Sequence, residues 1–111
     1  MENQSLFPKS SKELAEKRVA LAPEAMKAWS HFSNTVFKEG ALTEKTKQLI
    51  AVAVAHVTQC PYCIRSHTKT AMQKGASKQE IMEAIWVAAE MRSGAAVAHA
   101  SLAVDEMEKQ K

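Results

Sequence analysis

Apolar positions recur at helical spacing through nearly the whole chain. Residues 1–9, with Pro8 and small polar side chains, read as a loose N-terminal arm, and residues 10–111 as a single helical domain. Ser10 or Ser11 can cap a first helix in which Leu14, Arg18 and Leu21 lie along one face, with Val19 nearby. Pro23 suits the first turn of a second helix, where its missing N–H costs nothing. There Met26, Trp29, Phe32, Val36 and Phe37 fall at helical spacing, and Gly40 supplies the stop. Thr43 caps a third helix with Glu44 in its first turn. That helix contains LIAVAVAHV, apolar on every side, a pattern that predicts burial all round. Val52, Val54 and Val57 favour a strand, but the length and the alanines favour helix. Pro61 ends it, because the residue before a proline is pushed out of helical geometry. A fourth helix runs from Pro61 to about Lys74 and is closed by Gly75. Ser77 with Glu80 forms a capping box for a fifth, whose apolar face is Ile81, Ile85, Trp86 and Ala89. Gly94 separates it from a sixth, with Val97, Leu102, Val104 and Met107, which fades into DEMEKQK. No strand competes, so the fold class is all-α, a bundle of about six helices.

Composition narrows the setting. A chain of 111 residues, 46% hydrophobic, has room for one core and no second. A net charge of +3, with basic residues spread among acidic ones and only 5% aromatics, gives nucleic-acid binding no support. The longest uncharged stretch, Gln48 to Ile64, is interrupted by His56, Gln59 and Pro61, so no membrane span is expected. The start of the chain has no apolar segment of signal-peptide length, and the expected location is the cytoplasm. Trp29, Trp86 and the six methionines read as core residues. The alanine-rich third and sixth helices leave apolar surface that one small chain cannot cover, so a homo-oligomer is expected.

The sharpest chemical signal is Cys60-Pro61-Tyr62-Cys63, followed four residues later by His67. Pro61 at the first helical position places Cys60 at the N-cap and Cys63 in the first turn, where unpaired N–H groups and the helix dipole favour a thiolate. Cys63 and His67 stand at i and i+4, so a base can reach that thiol, and the spacing favours Cys63 as the activated one. Three readings fit these residues. A redox-active dithiol suits the motif and the compartment. A metal site could use His56, Cys60, Cys63 and His67, spaced 4, 3 and 4, although Pro61 interrupts their common face. The third reading is two small buried hydrophobes beside a satisfied histidine. A purely structural disulfide is disfavoured, because so short a loop removes little entropy from the unfolded chain. His56 and His99 read as hydrogen-bonded core histidines, and His31 as solvent-facing.

The segment from TEKTKQLIAVAVAHVTQCPYCIRSHTKT onward to AAVAHA resembles the AhpD-like, or carboxymuconolactone decarboxylase, family, over about residues 20–105. The resemblance implies an all-helical subunit assembled as a trimer, or as a hexamer built as a trimer of dimers, and alkylhydroperoxidase-type chemistry. In that scheme Cys63 attacks peroxide, Cys60 resolves the sulfenic acid as a disulfide, and His67 assists proton transfer. The implied function is a thiol-dependent peroxidase or disulfide reductase, with peroxide or disulfide as substrate and a reducing protein as partner. No metal or organic cofactor is needed, because the cysteines carry the electrons. Decarboxylases of the family generally lack the cysteine pair. The remaining alternatives are a non-enzymatic oligomeric module that senses redox state or binds a ligand, and a lactone enzyme of the decarboxylase type. Two positions depart from the peroxidase pattern. Gln48 stands where the pattern has a relay glutamate, and Tyr62 where it tends to have a histidine; Glu44 and Glu90 are the acidic residues that could substitute.

Overall fold

The computed structural model describes residues 6–9 and 11–110, and among these it contains five α-helices and no strand. Residues 6–9 lie outside any helix, while residues 1–5 of the expected arm and Ser10 lie outside the described residues. The chain divides into two compact units, one up to Lys47 and one from Gln48 onward.

In the first unit, α1 spans Lys12–Leu21 and α2 spans Pro23–Phe37, and the two pack on each other. Ser11, not its neighbour, is the cap of α1, and its hydroxyl accepts the Leu14 amide at 3.2 Å. Pro23 opens α2 as expected. The stop differs from expectation. Helix α2 ends at Phe37 because Lys38 turns to extended geometry, before Gly40 is reached. The Lys47 ammonium then donates to the carbonyls of Val36 and Lys38, a cation at the negative end of the helix. Neither helix has a fully buried residue. Trp29, read as core, is 61% exposed.

Helix α3 spans Glu44–Thr58, and the Thr43 hydroxyl accepts the Thr46 amide at 3.1 Å. It is not buried all round. Gln48, Val52 and Ala55 form the one buried face, at i, i+4 and i+7, while Ile50, Val54 and Val57 are exposed on another.

The second unit is organised around Val52, Ala71, Ala76 and Ile81, with Leu49 and Ile85 packed against them. Helix α4, Pro61–Gln73, supplies Ala71, and helix α5, Lys78–Lys109, supplies Ile81. The turn between them is specified by hydrogen bonds. The Ala76 amide donates to the Ala71 carbonyl at 2.9 Å and the Gly75 amide to Met72 at 3.0 Å, with Gly75 at φ +98°. This double bond pattern needs a left-handed residue at Gly75, and it draws Ala71 and Ala76 together in the core. Ser77 and Glu80 then form the expected capping box.

The sixth helix is absent: α5 continues unbroken through Gly94 for 32 residues. A glycine inside a helix costs about 1 kcal/mol against alanine but does not end it without a left-handed turn. Gly94, unlike Gly75, has no positive φ, and the good helix formers Ala95 and Ala96 follow it. The two glycines therefore respond oppositely to alanine. Gly75→Ala is expected to destabilise by about 1–2 kcal/mol, the cost of a left-handed side-chain residue. Gly94→Ala is expected to stabilise by about 0.5–1 kcal/mol, since the added Cβ meets only the movable Glu90 carboxylate, 3.3 Å away. Urea unfolding followed by circular dichroism reads both signs.

Several expected core residues are exposed. Trp86 is 68% exposed, and Met72, Met82, Met91 and Met107 are exposed as well. His99 also lies on the surface, as does His31, the one expected there. The pattern marks these as positions on helix faces, and among the described residues those faces are exposed. Among the described residues no helix is long and apolar enough to cross a membrane.

Candidate functional site

The residues that bear chemistry meet where α3 ends and α4 begins. Helix α3 terminates at Gln59, whose φ of 58° is the left-handed conformation, and the Cys60 amide donates back to the Ala55 carbonyl at 3.2 Å. A side-chain residue held there stores about 1–2 kcal/mol of backbone strain. This sharp turn sets Cys60 directly ahead of Pro61. The Arg92 guanidinium of α5 donates to the Val57 carbonyl at 3.2 Å, fixing the same end of α3. Sequence patterning singled out neither Gln59 nor Arg92. Left-handed helix ends are usually signalled by Gly or Asn, and a 35-residue separation hides the arginine.

Cys60 is the N-cap of α4, and its Sγ accepts the Cys63 amide at 3.2 Å. Both cysteines are half-buried free thiols. Hydrogen bonds from the Cys63 thiol and amide stabilise negative charge on Cys60 and hold its pKa below the usual thiol range. Cys63 moves the other way: donating its proton to Cys60, together with burial and the neighbouring charge, raises its pKa. The cap hydrogen bond and these shifts favour charge on Cys60, whereas spacing alone favours Cys63. Being inside the first turn gives Cys63 an amide to donate, but it is the sulfur at the cap that receives it.

His67 lies one turn beyond Cys63 on α4, and its Nδ1 donates to the Gln48 Oε1 of α3 at 2.8 Å. Burial lowers its pKa, so the ring favours the neutral form. Gln48 is only 7% exposed. Of the acidic substitutes considered, Glu90 lies against Gly94 on its own helix. The position that the peroxidase pattern gives to glutamate is thus filled by an amide that contacts the histidine itself. Tyr62 is exposed.

His56 donates through Nδ1 to the Val52 carbonyl of its own helix at 2.7 Å, as a satisfied, half-buried histidine. Among the described residues no three His, Cys, Asp or Glu side chains gather into a group able to hold a metal ion, so the 4-3-4 spacing does not converge.

Residues 23–106 match the carboxymuconolactone decarboxylase family. The chain is 57% identical over 98 residues to uncharacterized protein 4 in the cox locus of Paracoccus denitrificans, covering 88% of this chain and 87% of that protein. It is similar in structure to the apo form of a carboxymuconolactone decarboxylase family protein from Legionella pneumophila. That likeness has a TM-score of 0.67 and 36% identity, over 87% of this chain and 86% of the other. A second match is to a carboxymuconolactone decarboxylase family protein from Thermotoga maritima, described as "possibly involved in antioxidative response". Its TM-score is 0.59 with 33% identity, over 77% of this chain and 94% of the other.

Proposed function

The chain belongs to the carboxymuconolactone decarboxylase family, and from that membership and its cysteine pair we propose a thiol–disulfide redox enzyme of the AhpD type. The observation that carries the proposal is Cys60 at the helix cap, its sulfur accepting the Cys63 amide at 3.2 Å with the second thiol beside it. A stabilised thiolate next to a protonated thiol is what a dithiol needs to attack and then close. The antioxidative description of the Thermotoga protein supports the same chemistry.

With an organic hydroperoxide, the Cys60 thiolate attacks the distal oxygen, the O–O bond breaks, and the alkoxide leaves as alcohol after taking a proton. The resulting Cys60 sulfenic acid is attacked by the Cys63 sulfur, which loses its proton to His67, and water departs as the disulfide forms. With a disulfide substrate, Cys60 displaces one thiolate to form a mixed disulfide, and Cys63 displaces the other. In both cases two electrons leave the cysteine pair, and a reducing protein partner returns them by dithiol exchange. The cycle fits a cytoplasmic setting. The working unit is a homo-oligomer, a trimer or hexamer, that covers the apolar faces left open on α3 and α5.

The test is stoichiometry and turnover. Reduced protein is expected to consume one equivalent of cumene hydroperoxide or hydroxyethyl disulfide per chain, lose two thiols, and turn over when a dithiol reductant is supplied. The Cys60→Ser/Cys63→Ser double variant is expected to do neither. Wild-type protein that keeps both thiols under excess oxidant would refute the proposal.

A further inference from the structure

Electrons have to return to the cysteine pair from outside the chain, and the surface leading away from that pair carries charge of one sign. No acidic residue stands between Glu44 and Glu80. In that stretch Arg65, Lys69, Lys74 and Lys78 follow the cysteines, four cations in a chain whose net charge is only +3. On α4, Tyr62, Arg65, Ser66, Lys69, Met72 and Gln73 are all exposed. At about 100° per residue these six fall within about 120° of one another, opposite the buried Ala71. The face starts between the two cysteines and runs about 16 Å along the helix, at a rise of about 1.5 Å per residue.

We infer that this face of α4 is the docking surface for the reducing partner, a protein whose reactive dithiol is ringed by aspartate and glutamate. The inference rests on the redox reading above. Arg65 and Lys69 stand at i and i+4, a like-charge spacing that weakens a helix rather than supporting it. Among the described residues neither forms an ion pair, so their charge is left to a group from outside. Tyr62 and Met72 add two residue types that are enriched, with arginine, at protein interfaces. An exposed, convex helix face does not enclose a small anion in the way a pocket does. A second copy of the chain fits it poorly, because a two-fold contact sets Arg65 and Lys69 against their own equivalents.

Docking there brings the partner's sulfur to the end of α4 where the disulfide lies. The partner's thiolate attacks one sulfur of the Cys60–Cys63 disulfide, the S–S bond breaks, and the other sulfur leaves as a thiolate. The partner's second sulfur then displaces the first from the mixed disulfide and closes the partner's own S–S bond. Two electrons pass to the pair, and the two released sulfurs take up the protons that the partner's thiols give up. Opposite charge on the two surfaces speeds the encounter and excludes partners of the wrong sign.

The experiment mixes oxidised protein with three dithiol peptides that share one Cys-x-x-Cys centre and differ only in flanks of Glu, Gln or Lys. Dithiothreitol serves as the uncharged reference. At low ionic strength the Glu peptide is expected to reduce the wild type faster than the Lys peptide by about tenfold or more, and added salt should close the gap. Arg65→Glu/Lys69→Glu is expected to invert the order. Both positions are exposed, so no core contact is lost, and the ratio between peptides cancels any change in the disulfide itself. A wild type without preference, or a variant that keeps it, would overturn the inference. So would fluorescence anisotropy showing a single-stranded oligonucleotide bound more tightly than the Glu peptide with serines for cysteines, which assigns the face to another polyanion. Failure of the redox reading looks different: dithiothreitol finds no disulfide to reduce, while the serine peptide still binds the wild type more tightly than the variant.

Discussion

Cys60→Ser is expected to abolish turnover, by at least about 10²-fold, whereas Cys63→Ser is expected to leave the first chemical event intact and block only the second. The argument is about which sulfur carries charge. Cys60 sits at the N-cap and receives the Cys63 amide at 3.2 Å, so its anion is stabilised by a hydrogen bond and by the positive end of α4. Cys63 is raised by burial and by giving its proton to Cys60. With the pKa of Cys60 lowered and that of Cys63 raised, the rate of iodoacetamide alkylation against pH must inflect at lower pH for Cys60. At neutral pH Cys60 is therefore expected to carry the greater thiolate fraction. Under one equivalent of peroxide, Cys63→Ser should accumulate a sulfenic acid on Cys60, because the resolving thiol is gone. Mass spectrometry that places the first oxidation on Cys63 would sink the assignment and leave the order that spacing alone suggested.

The two assignments differ because of what spacing can and cannot carry. The i, i+4 relation of Cys63 and His67 was legible, as was the cap formed by Cys60 ahead of Pro61, because both follow from helix periodicity. Which sulfur receives the Cys63 amide depends on the Cys60 backbone, and that is set by Gln59 in a left-handed conformation that no residue type announces. Gln48 was visible as a departure from a pattern, but its contact with His67 spans 19 residues and two helices. In the fold, caps at Ser11, Thr43 and Ser77 and the turn at Gly75 were readable because each is local chemistry. Gly94 misled for the same reason: a glycine ends a helix only when the backbone turns at it, and alanines on its C-terminal side carry the helix on. The exposed tryptophans at 29 and 86 mark the other limit. An apolar stripe says that a face is to be covered, not which chain covers it.

The largest physical effect is expected at that uncovered surface. No residue of α5 beyond Ala88 is buried, yet the helix runs on to Lys109 with Val97, Leu102, Val104 and Met107 exposed along it. At about 100° per residue, Trp86, Val97 and Val104 align on one stripe of the helix, while Val87, Met91 and Leu102 group on another. The first stripe lies opposite the buried Ile81 and Ala88, and the second flanks them on one side. An isolated helical segment of some 20 residues is marginal in water, and apolar stripes on it add cost rather than support. A second copy of the chain removes both difficulties at once. Light scattering is therefore expected to give a multiple of 12.2 kDa for the wild type. Val97→Asp/Leu102→Asp is expected to bring the mass toward a single chain and to lower the helical signal, as the end of α5 frays. Burying each of these side chains contributes about 1.5–3 kcal/mol, so losing two weakens association by roughly 10² to 10⁴ before the cost of burying two carboxylates is added. A wild type that is monomeric at micromolar concentration, with α5 helical to its end, would refute the assembly and leave the chemistry of Cys60 and Cys63 to a single subunit.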